Sequence, residues 1–303
     1  MTTRIALATS AEFPDLDEDA AVLLAALVAE GLDAGPAVWT DDGVDWSSYD
    51  LVVVRSTWDY QGRHAEFLDW ARRVESVTSL ANSADVLAWN TTKTYLRTLK
   101  DAGLPVVPTD WLDPGDVFVV PEIGEYVVKP AVSAGSRDTN RYLSGDHDER
   151  AVVHAQELLD AGRTVMVQPY LVEVDTYGET ALFFFGGQFS HAVRKGPLLT
   201  PAMELVSAAY KEETIEPREP TGAEREAAEQ VLDALAALAP ASRDQLVYAR
   251  VDLVPGADGD PVLLELELAE PSMFLIHDGS GGTASAPRFA AAIRAAVPGT
   301  PGA

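Results

Sequence analysis

Residues 248–272 read YARVDLVPGADGDPVLLELELAEPS, and this stretch decides the fold of the C-terminal part of the chain. Two apolar runs flank a Gly/Asp/Pro segment, which is the pattern of an antiparallel β-hairpin. Successive side chains on a strand point to opposite faces. We therefore expect Glu265 and Glu267 to share one face of the second strand, while Leu264 and Leu266 enter the core on the other face.

Carboxylates on both strands of this hairpin are expected to converge. Arg250 and Asp252 share a face of the first strand, and pairing around a turn near residues 257–258 would place Asp252 close to Glu265 and Glu267. Carboxylates this close repel one another, which raises their pKa values unless a cation is present. Mg²⁺ prefers oxygen ligands and is commonly shared with substrate phosphates, so the three acids are candidate magnesium ligands. An ordinary solvated sheet face is the alternative.

The sequence upstream of this hairpin predicts further antiparallel strands. Residues 179–195 (ETALFFFGGQFSHAVRK) predict a second hairpin that turns at Gly186-Gly187. Residues 124–143 predict two short strands joined by a Ser/Gly-rich loop, and residues 164–171 predict one more strand. Helical patterns occupy residues 148–162, 223–239 and 286–297.

The N-terminal part of the chain is predicted to form a parallel α/β domain, because strand and helix patterns alternate there. Ligands in such domains usually bind beyond the carboxyl ends of the strands. Residues 90–103 predict a further helix, with Asn90 or Thr91 as its N-cap and Gly103 at its end. The strand patterns lie at residues 4–10, 34–40 and 50–57.

Composition excludes several classes of function. The 303 residues contain 22 Lys+Arg against 48 Asp+Glu, a formal net charge of −26. Nucleic acids and anionic membranes are bound mainly through Lys and Arg, so neither is an expected partner. The absence of Cys excludes disulfides, thiolate metal sites and cysteine nucleophiles. No apolar run approaches the ~20 residues of a membrane span and the N-terminus lacks a secretory signal pattern, so we expect a cytoplasmic protein.

Lys129 has a sequence context that suits phosphate binding. It ends a β-branched strand in EYVVKP and precedes Pro130 and a run of small residues. The backbone N–H groups of such a loop can close over phosphate oxygens, and a flexible hairpin tip is the alternative. Lys93, Arg194 and Lys195 would be routine surface charges in isolation. The sequence contains no GxxxxGK[ST] phosphate loop, no GxSxG elbow and no metal-like spacing of His, so hydrolase chemistry is disfavoured.

The order of these features resembles the ATP-grasp superfamily, and within it the glutathione-synthetase-like branch. The set consists of a lysine, a second lysine on a strand before a small-residue loop, QPYL, Arg-Lys, Asp and Glu-x-Glu, and it spans nearly the whole chain. The resemblance implies an α/β (α+β) fold of three domains, with ATP between the last two. The implied domains are an N-terminal pre-ATP-grasp substrate domain at 1–105, a central lid domain at 106–167 and a C-terminal ATP-grasp domain at 168–303.

The resemblance also assigns residues to ATP, to catalysis and to Mg²⁺. The implied ATP-binding residues are Lys93, Lys129, Ser133, Gly135, Ser136, Gln168, Tyr170, Leu171, Asp175 and Arg194. Within this set, Gln168, Tyr170 and Leu171 match the hinge strand that bonds adenine, and Asp175 matches the acid that holds the ribose. The implied catalytic residues are Lys129, Arg194 and Arg250, and the implied magnesium ligands are Asp252, Glu265 and Glu267.

This chain departs from the family pattern at the last magnesium ligand. Much of the superfamily has Glu-x-Asn, whereas this chain has Glu265-Leu266-Glu267. A second Glu still supplies oxygens, but its extra negative charge can change metal affinity or the preferred charge of the substrate.

Within the superfamily, TSAEFPDLDED, VVVRSTWDY, WNTTK and LLELELAEPS are most similar to the O-ureido-serine cyclo-ligases of cycloserine biosynthesis. This resemblance implies ATP- and Mg²⁺-dependent C–N bond formation through an acyl-phosphate-type intermediate, which cyclises O-ureido-D-serine to D-cycloserine. Such chemistry needs no enzyme nucleophile. A ligase that joins an amino acid to an external amine is the alternative. The candidate residues for the small amino-acid-like substrate are Ser10, Glu12, Arg55, Ser56, Thr57, Arg250 and Ser272.

Two functions other than catalysis of ligation are also compatible with the sequence. One is a non-catalytic nucleotide-binding or scaffold protein on the same fold, and the other is an acidic sugar- or nucleotide-binding α/β protein that does not use ATP. Intact Lys93, Lys129 and Arg194, together with the three acids, argue against a degraded site. A homodimer and a homotetramer are both compatible with the sequence.

Overall fold

The computed structural model describes residues 2–199 and 214–299, and its strands form three sheets. The strands are β1 Thr3–Thr9, β2 Leu32–Val38, β3 Leu51–Val54, β4 Ser79–Ala81, β5 Asp110–Leu112, β6 Glu125–Pro130, β7 Asn140–Leu143, β8 Val165–Pro169, β9 Glu179–Phe185, β10 Gln188–Lys195, β11 Ile215–Pro217, β12 Tyr248–Pro255 and β13 Pro261–Glu267. The helices are α1 Ala20–Ala29, α2 His64–Glu75, α3 Ala84–Asn90, α4 Tyr95–Asp101, α5 Asp148–Asp160, α6 Val174–Tyr177, α7 Gly222–Leu238 and α8 Ser285–Ala295. In these ranges, no helix has the length and apolar character needed to cross a membrane.

The N-terminal sheet has the order β2-β1-β3-β4, and all its strands are parallel. Strand β3 is buried along its whole length, as its LVVV sequence predicts for a strand covered on both faces. Leu27 of α1 and Phe289 of α8 share a core with Ile5 and Leu7 of β1. The predicted parallel α/β arrangement is confirmed, and the last helix of the chain returns to complete it.

The lid sheet has the order β5-β8-β6-β7, with antiparallel pairing throughout. Helix α5 packs on this sheet, where Leu158 shares a core with Tyr126 and Val165. The predicted domain boundary between residues 167 and 168 falls within β8. The division of the chain at that position stays a prediction.

The C-terminal sheet has the order β11-β10-β9-β12-β13 and is antiparallel, so both predicted hairpins are present. Strands β9 and β10 are joined at Gly186-Gly187, where the φ angles are 55° and 73°. Tight hairpin turns need positive φ at their central residues, which glycine adopts without steric cost.

One extra residue in β13 changes the predicted faces of its leucines. The register of pairing shifts after the Asp252–Glu265 pair, which leaves Leu264 as the extra residue of a β-bulge. Leu266 is buried in the core as predicted. The prediction for Leu264 was wrong, because the bulge turns this side chain toward the cavity described below.

The helix predicted at residues 90–103 is present as α4, which begins only at Tyr95, and a separate helix, α3, ends at Asn90. Asn90 is the last residue of α3 and Thr91 follows it, so the prediction that either residue is an N-cap was wrong. The Asn90 side chain bonds the backbone of β13 at Leu266 and Leu268, and a side chain used in this way is not free to cap a helix. Gly103 follows α4 with a φ of 87°, as predicted for a residue that closes a helix.

Candidate active site

A cavity of about 610 Å³ is lined by residues of the lid sheet, the C-terminal sheet and the loops of the N-terminal sheet. The charged side chains on its wall are Asp17, Glu18, Asp19, Lys93, Lys129, Arg141, Glu179, Lys195, Arg250, Glu265, Glu267 and Glu270. The predicted site residues found on the wall are Lys93, Lys129, Ser133, Gly135, Ser136, Gln168, Tyr170, Leu171, Arg250, Glu265, Glu267 and Ser272. The structure thus brings together residues that are up to about 180 positions apart in the sequence, as from Lys93 to Ser272.

Lys93 connects the small-residue loop to the strand that carries the acids. Its Nζ lies 2.9 Å from Glu265 Oε1 and donates to the carbonyl oxygen of Ser133 at 2.8 Å. Burial lowers the pKa of Lys93, but the Glu265 carboxylate outweighs this effect and raises the pKa above its ordinary value. The lysine therefore stays charged inside the protein.

Arg250 holds the other two predicted magnesium ligands. Its Nε and Nη2 donate to the two carboxylate oxygens of Asp252, both at 2.8 Å, and Nη2 also donates to Glu267. Burial raises the pKa of Asp252, but Arg250 and Lys195 outweigh this effect and hold it below its ordinary value. Burial raises the pKa of Glu267, and the Glu265 and Asp252 carboxylates raise it further in spite of Arg250.

The chemistry of these acids suits a hard divalent cation. Glu265 and Glu267 present carboxylate oxygens on the wall, and the pKa of Glu267 is raised first by burial and then by the neighbouring carboxylates, so a cation would stabilise its charged form. Within residues 2–199 and 214–299, no cluster of three or more Asp, Glu or His side chains has a geometry that could hold a metal ion. The Asp252 side chain is only 2% exposed and is committed to Arg250. The magnesium assignment therefore stays a prediction.

Lys129 differs from the other cations on the wall. It is buried at the end of β6, and within the part of the chain that the structure describes its ammonium forms no ion pair. Burial lowers its pKa to about 8, Glu265 opposes this shift, and the nearby ammonium groups of Lys93 and Lys195 add to it. A buried ammonium of this kind is stabilised by an anion that enters the cavity.

Strand β8 leads to the residues predicted to hold adenine and ribose. The backbone N–H of Tyr170 donates to the carbonyl of Glu125 at 2.9 Å, so this donor is already used within the lid sheet. Asp175 accepts from Arg141 at 3.0 and 3.1 Å and from the Tyr170 hydroxyl at 2.5 Å. Asp175 is not on the cavity wall itself, and its two partners there are Arg141 and Tyr170.

Arg194 and Lys195 are neighbours on β10 and point to opposite faces of the sheet. Lys195 lies on the wall, with its Nζ 2.9 Å from Glu179 Oε2. Arg194 donates instead to the backbone carbonyls of Thr176 and Tyr177 at α6. Side chains alternate along a strand, so only one of the two can face the cavity, and the structure places Lys195 rather than Arg194 on the wall.

Four of the predicted substrate residues lie at the ends of β1 and β3 but away from the wall. Ser10, Ser56 and Thr57 are buried, and Glu12 is exposed. The backbone N–H of Ser10 donates to the carbonyl of Ser56, which joins the two loops behind the cavity. These four residues are not on the cavity wall, and a contact with the substrate stays a prediction.

Arg55 is a fifth predicted substrate residue that the structure places behind the wall. It is 1% exposed and donates to Asp17 Oδ2 and to the carbonyl of Pro271, both at 3.1 Å. It therefore positions Asp17, which does line the cavity. The residues that do line the cavity lie further along the same loops, after the predicted residues at the strand ends. They are Phe13, Asp17, Glu18, Asp19, Trp58 and Tyr60.

Glu270 is a wall residue that sequence reasoning did not assign, although the Glu-Pro-Ser sequence after β13 is unusual for a plain edge. Burial raises its pKa to about 7, while a hydrogen bond from Tyr60 and the Lys93 ammonium oppose the shift. Glu270 is thus a carboxyl group that can change its protonation state near neutral pH.

A cavity between a lid sheet and an antiparallel sheet, with lysines facing paired acids, is the arrangement of the ATP-grasp fold. The fold agrees with that of the ATP-grasp ligase PsnB, solved with a phosphomimetic variant of its minimal precursor, Mg and ADP: the TM-score is 0.62 at 21% identity, covering 98% of this chain and 99% of that one.

Three comparisons define the family more narrowly. A family model described as D-cycloserine synthetase DcsG, N-terminal domain, matches residues 5–82. The chain is 39% identical over 300 residues to the cycloserine biosynthesis protein DcsG of Streptomyces lavendulae, covering 95% of this chain and 97% of the relative. The crystal structure of D-cycloserine synthetase DcsG superposes with a TM-score of 0.83 at 38% identity, covering 96% of this chain and 98% of that one. The chain belongs to the DcsG family, and its fold is that of ATP-grasp ligases.

Proposed function

We propose that this protein closes O-ureido-D-serine to D-cycloserine, using ATP and Mg²⁺. The 39% identity to a cycloserine biosynthesis protein along 95% of the chain supports this choice of substrate. The observation that carries the proposal is the convergence of Lys93, Lys129 and Lys195 with Glu265 and Glu267 on one cavity. A nucleoside triphosphate that transfers its terminal phosphoryl group needs both kinds of group, cations for its oxygens and acids for its metal.

The product ring determines which atoms react. The ring of cycloserine contains the carboxyl carbon, the α and β carbons, and an adjoining oxygen and nitrogen, so it closes between that nitrogen and the carboxyl carbon. Phosphoryl transfer from ATP to the carboxylate gives an acyl phosphate and ADP, and attack by the nitrogen then expels phosphate. Hydrolysis removes the carbamoyl group from the nitrogen as carbon dioxide and ammonia. One ammonia is therefore released for each ADP.

Each cation on the wall has a part in this reaction. Lys129, which is buried and forms no ion pair within the described residues, neutralises phosphate charge. Lys93 and Lys195 can exchange their carboxylate partners for phosphoryl oxygens, and Arg250 faces the charge that develops on the carboxyl oxygen. A magnesium ion on the β13 glutamates would supply further neutralisation of the triphosphate.

We also propose a cytoplasmic location, because the proposed reaction consumes ATP. Its oligomeric state, a homodimer or a homotetramer, stays a prediction. The alternative function, ligation of an amino acid to an external amine, uses the same cavity and the same acyl phosphate. The two functions differ in what they release.

The test of the substrate is to incubate the purified protein with ATP, MgCl₂ and either O-ureido-D-serine or its L enantiomer. We expect ADP, ammonia and a cyclic product in equal amounts from the D compound, with no other amine present. ADP formation that requires a second amino acid and releases no ammonia would show the external-amine ligase instead.

The test of the nucleotide site compares two lysines of the same chain. Lys129→Met removes the buried cation, and Lys100→Met removes an exposed lysine on α4. Charge-assisted hydrogen bonds contribute about 1–3 kcal/mol, so we expect Lys129→Met to weaken ATP binding about tenfold or more by calorimetry. Lys100→Met should bind ATP like the parent. Equal affinities in all three proteins would remove Lys129 from the nucleotide site.

A further inference from the structure

Strand β13 is the last strand of the C-terminal sheet, and its outer edge has no complete strand beside it within the described residues. Backbone groups along such an edge need partners when they are buried. The first of them are paired with the main chain, because Leu263 N–H donates to the carbonyl of Pro105 at 2.7 Å and its carbonyl accepts from Val107 N–H at 3.0 Å. Beyond the bulge at Leu264, the outward backbone groups bond to side chains instead of to the main chain.

Past Leu264, side chains from α3 and α4 take the place of a neighbouring strand. Asn90 Nδ2 donates to the carbonyl of Leu266 at 2.8 Å, and its Oδ1 accepts from Leu268 N–H at 2.7 Å. A peptide group of an adjacent strand would make the same pair of bonds. The Tyr95 hydroxyl adds to this, since it donates to the carbonyl of Leu266 at 2.7 Å and accepts from its N–H at 2.9 Å.

These bonds fix the two residues that alternate with the acids of β13. Leu266 lies between Glu265 and Glu267, and Leu268 follows directly, so the peptide plane after Glu265 and the planes on both sides of Glu267 are held from outside the sheet. The orientation of a peptide plane sets the direction in which the adjacent side chains leave the strand. The direction in which each acidic side chain leaves the strand is therefore constrained from outside the sheet.

We infer that Asn90 and Tyr95 are positioning residues for the two acids of β13, and that they set the affinity of the site for a divalent cation. Both side chains are buried, at 6% and 3% exposure. Neither needs to contact the cation, because each acts through the backbone between the acids. This inference rests on the proposed function, in which Glu265 and Glu267 bind Mg²⁺.

The experiment removes one hydroxyl and measures metal binding apart from catalysis. Tyr95→Phe leaves the Leu266 N–H without its partner but keeps the ring that packs in the core. The matched control is Tyr142→Phe, which removes another buried tyrosine hydroxyl, 2.9 Å from His154 in the lid. Each protein is melted in EDTA and then with excess ADP over a series of MgCl₂ concentrations.

We expect both variants to fold and to bind ADP in EDTA as the parent does. Residues that position metal ligands change metal affinity about tenfold or more, so Tyr95→Phe should need about tenfold more Mg²⁺ to reach half of the shift in Tm. Tyr142→Phe should keep the parental midpoint. A parental midpoint in Tyr95→Phe would overturn the inference, as would an equal change in both variants.

A second variant covers the case in which Tyr95→Phe does not fold. Asn90→Ala removes the partner of Leu268 N–H. Asn90 lines the cavity, so water can reach the exposed N–H group and the variant should fold. It should also need more Mg²⁺ to reach half of the shift in Tm. An unchanged midpoint in this variant contradicts the inference. If the parent itself shows no Mg²⁺-dependent shift with ADP, the magnesium site of the proposed function fails first and the positioning role fails with it.

Discussion

The two hairpins of the C-terminal sheet each contain one extra residue, and the two extra residues have opposite results. In β9–β10 the register shifts between Phe189 and His191, and His191 enters the core, where its ring stacks on Phe183 at 4.3 Å between centroids. In β12–β13 the shift at Leu264 places Glu265 on the cavity wall. A β-bulge thus buries a titratable ring in one hairpin and presents a carboxylate to the cavity in the other. What packs against each strand determines which of the two results follows.

The charges of the two hairpins complement each other across β9 and β12. The first hairpin ends in Lys195, and the second carries Asp252 and Glu267, with Lys195 Nζ 3.3 Å from Asp252. The first, cation-bearing hairpin supplies Lys195 beside Glu179, and the second, acid-bearing hairpin supplies Glu265 and Glu267 beside Arg250, so neither hairpin forms the site alone. Substitutions in either hairpin can therefore break this division of roles.

The largest effect is expected in the acid-bearing hairpin. Glu265→Gln keeps the shape of the side chain but removes the charge that pairs with Lys93, so kcat should fall by about a hundredfold to a thousandfold, as for the loss of a central electrostatic contact. The fold should survive, but the Tm without metal should fall, because the buried Lys93 ammonium loses its carboxylate partner. The readout is ADP release at saturating substrate.

The control for this substitution is Glu216→Gln on β11, whose carboxylate lies beside Arg194 on the other face of the sheet. It should keep parental activity. Near-parental ADP release by Glu265→Gln at ordinary Mg²⁺ concentrations would show that Glu265 is not a metal ligand.

A smaller effect is expected in the cation-bearing hairpin, where two neighbouring residues can be compared directly. Lys195→Met removes a cation from the wall and should lower kcat/KM for ATP by up to about a hundredfold. Arg194→Met removes a side chain that bonds α6, and it should change kcat/KM for ATP by less than about threefold. Steady-state kinetics with ATP as the varied substrate measure both. A greater loss in Arg194→Met would return the phosphate contact to Arg194.

The smallest effect concerns stability, and it tests the buried bulge. Burial lowers the pKa of His191 to about 4 from an ordinary value of 6.5, so between these pH values the unfolded chain binds a proton that the folded chain does not. His191 therefore costs no stability above about pH 6.5 and costs on the order of 2 kcal/mol at pH 5. His191→Gln, compared with the parent by urea unfolding from pH 7 to 4.5, should show a shallower loss of stability as the pH falls. Parallel curves would mean that His191 does not titrate differently in the two states.

Features that depend on local sequence were predictable. Gly186-Gly187 specifies a tight turn, and the apolar LVVV run specifies a strand buried on both faces, because in each case the residues involved are neighbours in the chain. The positions of Lys129 and of the small-residue loop followed in the same way. The family resemblance then supplied the order in which these parts meet around ATP.

Features that depend on one extra residue or on a distant partner were not predictable. The alternation of β13 is regular in sequence, so nothing marks Leu264 as the bulge that turns it to the cavity. Asn90 looks like a helix cap in the sequence. Its actual partners are backbone groups of Leu266 and Leu268, 176 and 178 positions away, which the local sequence cannot indicate. Arg194 and Lys195 are equal in charge, and only the pleat of the folded strand separates them.

The closed outer edge of β13 has a consequence for association between molecules. An unpaired edge strand is a template on which another chain can add a strand, and proteins commonly block such edges. Here Asn90 and Tyr95 occupy the backbone groups of Leu266 that an incoming strand would need, and Asn82 occupies the carbonyl of Leu268. The side chains that hold the acid-bearing strand therefore also prevent sheet extension between copies of the chain at this edge, so the enzyme needs no separate device there against aggregation.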